Sequence, residues 1–215
     1  MKGREFKDAM YEGLAKLLKA LANPFRLEII EMLSQGEKSV EGIVQTTSLT
    51  FANASQHLQV LKNSNIVKSR KEGRYVYYSL INNKFLSLYQ HVVKYAVQEI
   101  AELEKTLNQQ RSGNNALNAV CLGELETMMQ NDEVLLLDVR PEIEYKFGHI
   151  TGAVSIPMNN LMTKLKGISK DKEIVAYCRG PFCVLADEAV KLLNEKGYNA
   201  RRLDEGYPEW KIKSL

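Results

Sequence analysis

Residues 177–193 read YCRGPFCVLADEAVKLL, and this stretch decides the reading of the second half of the chain. The segment that leads into it, EIVAY from Glu173 to Tyr177, is a short apolar run of the kind that forms a buried parallel strand. From Val184 to Lys196 the pattern is helical. The chain therefore passes from strand to helix through Cys178, Arg179, Gly180, Pro181, Phe182 and Cys183. A loop at such a junction can curl its amide N–H groups around the first side chain it presents. Amide nests and helix N-termini stabilise anions, so the expectation is a lowered pKa at Cys178, with Arg179 adding positive charge beside it.

Working outward, EVLLLDV from Glu133 to Val139 is a second buried-strand candidate. Helical segments fall near Leu122–Gln130 and Leu161–Leu165. This alternation predicts an α/β domain with a parallel sheet and helices on both faces, over residues 119–215. Residues 108–118, NQQRSGNNALN, are polar with no apolar period, and 111–118 are read as a linker.

Residues 1–110 form a different, mostly helical domain. A stripe of Met10, Leu14, Leu17, Leu18 and Leu21 marks the first helix. Asn23-Pro24 is an N-cap followed by a good first helical residue, and Gly36 ends the helix it starts. A short helix near Val40–Thr46 precedes one from about Thr50 to Asn63, with Ala54, Leu58 and Leu61 on its apolar face. Ile66–Arg70 and Tyr75–Leu80 flank Glu72-Gly73 as a hairpin. One long amphipathic helix, roughly Lys84 to Gln109, is expected to close the domain.

The net charge is +3, but residues 1–110 carry 15 Lys+Arg against 11 Asp+Glu, while residues 111–215 carry 14 against 15. Between Lys62 and Lys84 stand six basic residues and one acid, Glu72, a local pattern that suits nucleic acid. No apolar run approaches the about 18 residues of a membrane span, so no membrane partner is expected. The charged N-terminus lacks a signal-peptide core, and a cytoplasmic location follows. Three cysteines, an odd number, argue against a disulfide framework. All three follow residue 120, which places any thiol chemistry in the second half; Cys121, at a helix start, is given none.

Helix, short helix, turn, helix, hairpin, long helix is the order of a winged helix-turn-helix. The segments LANPFRLEIIEML (Leu21–Leu33), SQHLQVL (Ser55–Leu61) and GRYVYYSL (from Gly73) resemble the ArsR/SmtB-like bacterial repressors over about residues 10–105. The resemblance implies that the Thr50–Asn63 helix reads double-stranded DNA in a major groove. The side chains opposite its apolar face, Asn53, Ser55, Gln56 and Gln59, would meet base edges. His57 borders that face and suits either DNA contact or half-buried packing. Lys62, Arg70, Lys71 and Arg74 suit phosphate contacts. The long last helix would pair with its copy in a homodimer, which implies a near-palindromic operator. Many repressors of this family bind a metal through cysteines in this domain. Here the domain has none, and its two histidines, His57 and His91, lack a ligand spacing; no metal site and no cofactor are expected.

The second half resembles the rhodanese, or sulfurtransferase, family through LLDVRPEIEYKFGHITGAVSIP (Leu136–Pro157), YCRGPFCVLADEAVKLL (Tyr177–Leu193) and GYNARRLDEGYPEW (Gly197–Trp210). The resemblance implies that Cys178 is the nucleophile that carries sulfane sulfur as a persulfide. Asp138 and Arg140 fall at positions that support the loop, and His149 at a scaffold position. Rhodanese loops usually carry a basic residue near their end to hold an anionic donor; Cys183 stands in that place here. Three readings of Cys183 stay open: a resolving thiol for a Cys178 persulfide, a partner of Cys178 for arsenite or a soft metal, or a small buried apolar side chain. The chain as a whole reads as a DNA-binding regulator, a repressor, modulated at Cys178 by sulfane sulfur or oxidation. The alternatives are a sulfurtransferase that regulates its own operon, an arsenite or metal sensor, and an interaction module.

Overall fold

Asn23 caps its helix as its sequence implies: the side chain accepts a hydrogen bond from the Arg26 N–H, and Pro24 takes the first helical position. That helix, α2 (Pro24–Ser34), follows α1 (Gly3–Leu21) and precedes β1 (Lys38–Ser39), α3 (Val40–Val44) and α4 (Phe51–Asn63). Then come β2 (Val67–Glu72), β3 (Tyr75–Leu80) and α5 (Asn83–Glu99). These elements belong to a computed structural model, which describes residues 3–111, 119–167 and 169–214. The three strands form an antiparallel sheet in the order β1-β3-β2. Glu72 pairs with Tyr75, and the turn between them uses Gly73 at φ 58°, the left-handed region that glycine adopts without steric cost. Ile29, Ile30, Ile43, Ala54, Leu58, Leu61 and Ile66 fill the core.

The single long helix expected from Lys84 to Gln109 is two: α5, then α6 (Ala101–Arg111), with the break at Ile100. The Leu103 N–H bonds back to the Ile100 carbonyl at 2.9 Å, three residues away, and this tightens the turn at the junction. Arg111, read as the start of a linker, is the last residue of α6; residues 112–118, the rest of that linker, lie outside the described residues. Contacts divide the chain into two compact units, Met1–Leu86 and Ser87–Leu215, so the division falls within α5, whereas the sequence places it after residue 110.

In the second unit the order is α7 (Leu122–Gln130), β4 (Val134–Asp138), α8 (Glu142–Phe147), β5 (Val154–Ser155) and α9 (Leu161–Lys164). It continues with β6 (Glu173–Tyr177), α10 (Leu185–Glu195), β7 (Ala200–Arg202) and α11 (Tyr207–Lys213). The four strands form a parallel sheet, β5-β4-β6-β7, in which Asp138 pairs with Tyr177. Strand alternation supplies two cores. Leu136, Val175 and Tyr177 pack with Leu122, Leu125 and Met128 of α7 and Tyr207 of α11. Leu137, Ile174, Ala176 and Cys178 pack with Leu161 of α9 and with Ala186, Ala189, Val190 and Leu193 of α10. Both faces are covered, as a parallel sheet requires. The carboxyl ends of its strands, where sites in such sheets lie, carry the 178–184 loop. Among the described residues no helix is long and apolar enough to cross a membrane.

Candidate functional site

On α4, Thr50 caps the N-terminus by accepting from the Asn53 N–H, and Ala54, Leu58 and Leu61 are buried. The opposite face leaves Asn53, Gln56 and Gln59 exposed and Ser55 half-buried. Gln59 donates to the Asn63 side chain at 2.7 Å. His57 lies with its ring 5.8 Å from that of Phe25, and burial, followed by the charge of Arg26, lowers its pKa, so it packs as a neutral ring. Lys62 is exposed and donates to the Ser69 hydroxyl at 2.7 Å. Lys71 and Arg74 are exposed on the hairpin; Arg74 lies over the Tyr75 ring. Arg70 differs from the expectation. Its guanidinium pairs with both Glu37 and Glu72, so it must release carboxylates to meet a phosphate. Exposed Phe51 and Lys68, on the same helix and hairpin, escaped the sequence reading.

In the second unit β6 delivers Cys178 to the loop with its residue 4% exposed. Its thiol donates to the carbonyl oxygen of Cys183 at 3.3 Å, and the Cys183 N–H donates to the Gly180 carbonyl at 3.1 Å. Gly180 turns the loop at φ 141°. Burial pushes the Cys178 thiol well up, helped by the adjoining Cys183, against the pull of the Ala186 and Gly180 amides. Cys183 moves the other way, to about 7: the hydrogen bond from Cys178 is the main cause, burial opposes it, and the Arg179 and Leu185 amides and the Arg179 charge assist. The lowered thiol is thus Cys183 and not Cys178, because Cys178 is the more deeply buried of the two.

Arg179 turns away from the thiols to a bidentate pair with Glu144 of α8, at 2.8 Å (Nη2–Oε1) and 3.0 Å (Nε–Oε2). Asp138 and Arg140 are fully buried and paired, with the Arg140 Nη2 2.6 Å from Asp138 Oδ2. Arg140 also donates to the Gly148 carbonyl and lies between the Tyr177 and Tyr207 rings, at 5.5 and 4.6 Å. The Tyr177 hydroxyl donates to Asp138 at 2.6 Å. His149 stacks on Tyr145, ring centroids 3.8 Å apart. Pro181 is half-buried and Phe182 exposed.

A model of the arsR family of bacterial regulatory proteins matches residues 23–69, and a model of the rhodanese-like domain matches residues 122–213. The HTH-type transcriptional regulator Rv0324 of Mycobacterium tuberculosis is 37% identical over 209 residues, 97% of this chain and 92% of that protein. The chain is an arsR-family transcriptional regulator with a C-terminal rhodanese-like domain. The regulator is also 46% identical over 68 residues, 31% of its length, to the cadmium resistance transcriptional regulatory protein CadC homolog of Staphylococcus aureus, covering 56% of that protein. Among solved structures, the homodimeric winged helix-turn-helix domain of Mb0332 from Mycobacterium bovis aligns with 46% of the regulator and 91% of that chain, at 35% identity and a TM-score of 0.43.

Three residues around the regulator's 178–184 loop were not read from sequence. Gly206 approaches the loop so closely that a Cβ there would lie 2.5 Å from the Gly180 nitrogen. Glu209 accepts from the Gly206 N–H at 2.8 Å and rests against Gly180. Arg111 donates to the Pro181 carbonyl at 2.8 Å. Among the described residues no group of three or more His, Cys, Asp or Glu side chains is placed to hold a metal ion.

Proposed function

We propose that the regulator is a homodimeric DNA-binding repressor whose rhodanese-like domain is its sensor. Cys178 accepts sulfane sulfur or is oxidised, and operator binding changes with it. The single observation that carries this reading is the placement of two thiols in one strand-to-helix loop, where the buried Cys178 thiol donates to the Cys183 carbonyl at 3.3 Å. As Cys178 attacks, the Cys183 thiolate accepts its proton. With a hydropersulfide donor, R–S–SH, a bond forms between the Cys178 sulfur and the outer sulfur of the donor. The donor S–S bond breaks and RS⁻ leaves, so Cys178 ends as Cys–S–SH. Cys183, once deprotonated, attacks the Cys178 sulfur, and hydrosulfide departs. Two thiols are then oxidised to a disulfide and the sulfane sulfur is reduced.

The polar face of α4, with Asn53, Ser55, Gln56 and Gln59, supports base readout, and Lys62, Lys71 and Arg74 support phosphate contact. Arg70 joins them if it leaves its carboxylates. Apolar side chains left exposed on α1 (Phe6, Met10, Leu14, Leu18) and on α5 (Leu88, Val92, Tyr95) support a second copy as partner. Such a dimer sets two α4 helices about one DNA turn apart on a near-palindromic operator.

The test is intact-mass measurement after polysulfide treatment, with Cys178→Ala alongside, each sample passed to a binding assay on DNA upstream of the regulator's own gene. The expected result is a gain of one sulfur atom, or a loss of two hydrogens, in wild type only, with a shift in DNA affinity. An affinity that stays the same in modified and reduced protein would falsify the sensor reading.

A further inference from the structure

Glu144 is 2% exposed, yet it carries a carboxylate. A buried carboxylate without a partner is costly, and here the partner is Arg179, the residue next to the nucleophile candidate. The sequence places Arg179 beside Cys178 as positive charge for its thiolate; the fold pairs that guanidinium with Glu144 of α8. The other guanidinium groups around the loop also face carboxylates. Arg202, 3% exposed as a side chain, faces Asp204 and Asp187, the latter at 3.7 Å. Arg111, 12% exposed as a side chain, lies 3.6 Å from Asp204 besides its bond to the Pro181 carbonyl. Three guanidinium groups thus face Glu144, Asp187 and Asp204. The residue that ends the loop, Cys183, brings no cation, and Phe182 beside it is exposed and apolar.

We infer that Glu144 sets the donor class of the sulfur loop: by holding Arg179, it makes the loop take sulfur from organic hydropersulfides of little net charge and discriminate against thiosulfate. The inference rests on the reading of Cys178 as a sulfur acceptor. Thiosulfate is a dianion at neutral pH. To give up its outer sulfur it must enter a site where Cys178 is almost wholly buried and leave as sulfite, again a charged group. Desolvating those charges calls for a charged donor beside the loop amides, and Arg179, the cation adjoining Cys178 in the chain, is engaged by Glu144. An alkyl hydropersulfide brings no such charge; its outer sulfur bonds to the Cys178 sulfur, and the alkyl thiolate leaves and takes up the proton. Glu144 touches neither donor nor thiol and is a positioning residue, acting through Arg179.

The experiment follows the mass of one added sulfur atom at Cys178 over time, with an alkyl hydropersulfide and with thiosulfate, in the full-length protein. Wild type is expected to favour the hydropersulfide. Glu144→Gln keeps the shape of the side chain and removes its charge. It should raise the thiosulfate rate about tenfold relative to the hydropersulfide rate, the scale of one charge-assisted hydrogen bond. Phe182→Arg adds a cation at an exposed loop position without touching the buried pair, and should shift the ratio in the same direction even if Glu144→Gln folds poorly. Equal wild-type rates with both donors overturn the inference. So does a ratio that neither variant moves, or a Glu144→Gln change that scales both rates alike and leaves Phe182→Arg silent. If Cys178 takes sulfur from neither donor, the acceptor reading itself fails, an outcome distinct from any change in ratio.

Discussion

Cys178 and Cys183 show how five residues of separation produce two unlike thiols. Cys178 belongs to the core that α10 covers, so its charged form is penalised by burial, while Cys183 stands where the Arg179 and Leu185 amides converge. Only a thiolate is alkylated at a useful rate. Iodoacetamide labelling read by peptide mass spectrometry is therefore expected to mark Cys183 with a midpoint near pH 7. Cys178→Ala removes the hydrogen bond that is the main cause of the lowering, and the midpoint should rise toward that of an ordinary thiol. A midpoint that stays put in the variant contradicts Cys178 as the cause of the lowering. Asp138 presents the opposite case, a charge with no role at the reacting atoms. It pairs with Arg140 where neither is exposed, and it accepts from Tyr177. Asp138→Ala leaves a buried guanidinium without its carboxylate and should cost about 3–5 kcal/mol in chemical denaturation. A loss below about 1 kcal/mol would mean that the pair is easily replaced by water.

At the scale of elements, the wing separates two arginines that look alike in sequence. Arg74 is exposed near the tip of the hairpin, whereas Arg70 is tied to Glu37, whose carboxyl it holds below the usual range. Arg74→Ala is expected to lower the slope of log affinity against log salt by about one and to weaken binding to all sequences alike. Arg70→Ala should change that slope less, because freeing Arg70 for a phosphate leaves Glu37 unmatched; titrations at several salt concentrations compare the two. The long elements were legible in the chain: α4, β3, α7 and β6 follow apolar periods that the sequence displays openly. Five others were not, among them α11 with seven residues. β1, β5 and β7 have two or three residues, too few for a period of two to register, and α8 has six between Pro141 and Gly148. The site was legible as a loop but not as a charge arrangement. Glu144 sits 35 residues before Arg179, and Gly206 meets the loop from 26 residues beyond Gly180, distances over which no local pattern carries. The Ile100 break was hidden for another reason: the apolar stripe runs on through it, so periodicity alone reads one helix.

At the scale of the whole molecule, the proposed sensor requires a route from Cys178 to the proposed DNA-reading helix α4. Within the second unit, the last residue of α6 holds the sulfur loop directly: Arg111 donates to the carbonyl of Pro181, which lies between the two thiols. α5 makes a second tie, from Gln90 to Glu209 at 3.2 Å, and Glu209 in turn holds Gly206 against the loop. The chain of α5 begins at Asn83, in the first unit, and continues into the second. A disulfide between Cys178 and Cys183, or an extra sulfur on Cys178, would act on the loop between them, whose Pro181 carbonyl Arg111 holds. Coupling of this kind is a difference between two affinities, and values of about 1–3 kcal/mol, roughly 5–150-fold, are usual. Arg111→Ala is accordingly expected to shrink the ratio of operator affinities between reduced and sulfur-loaded protein toward one, with sulfur uptake at Cys178 followed by mass in the same samples so that a loading defect is not mistaken for lost coupling. Gln90→Ala should act in the same direction and more weakly, because it severs a contact one step removed from the loop. If sulfur-loaded Arg111→Ala protein keeps the full wild-type ratio, the signal does not pass through this contact, and the tie from Gln90 to Glu209 becomes the first route to sever.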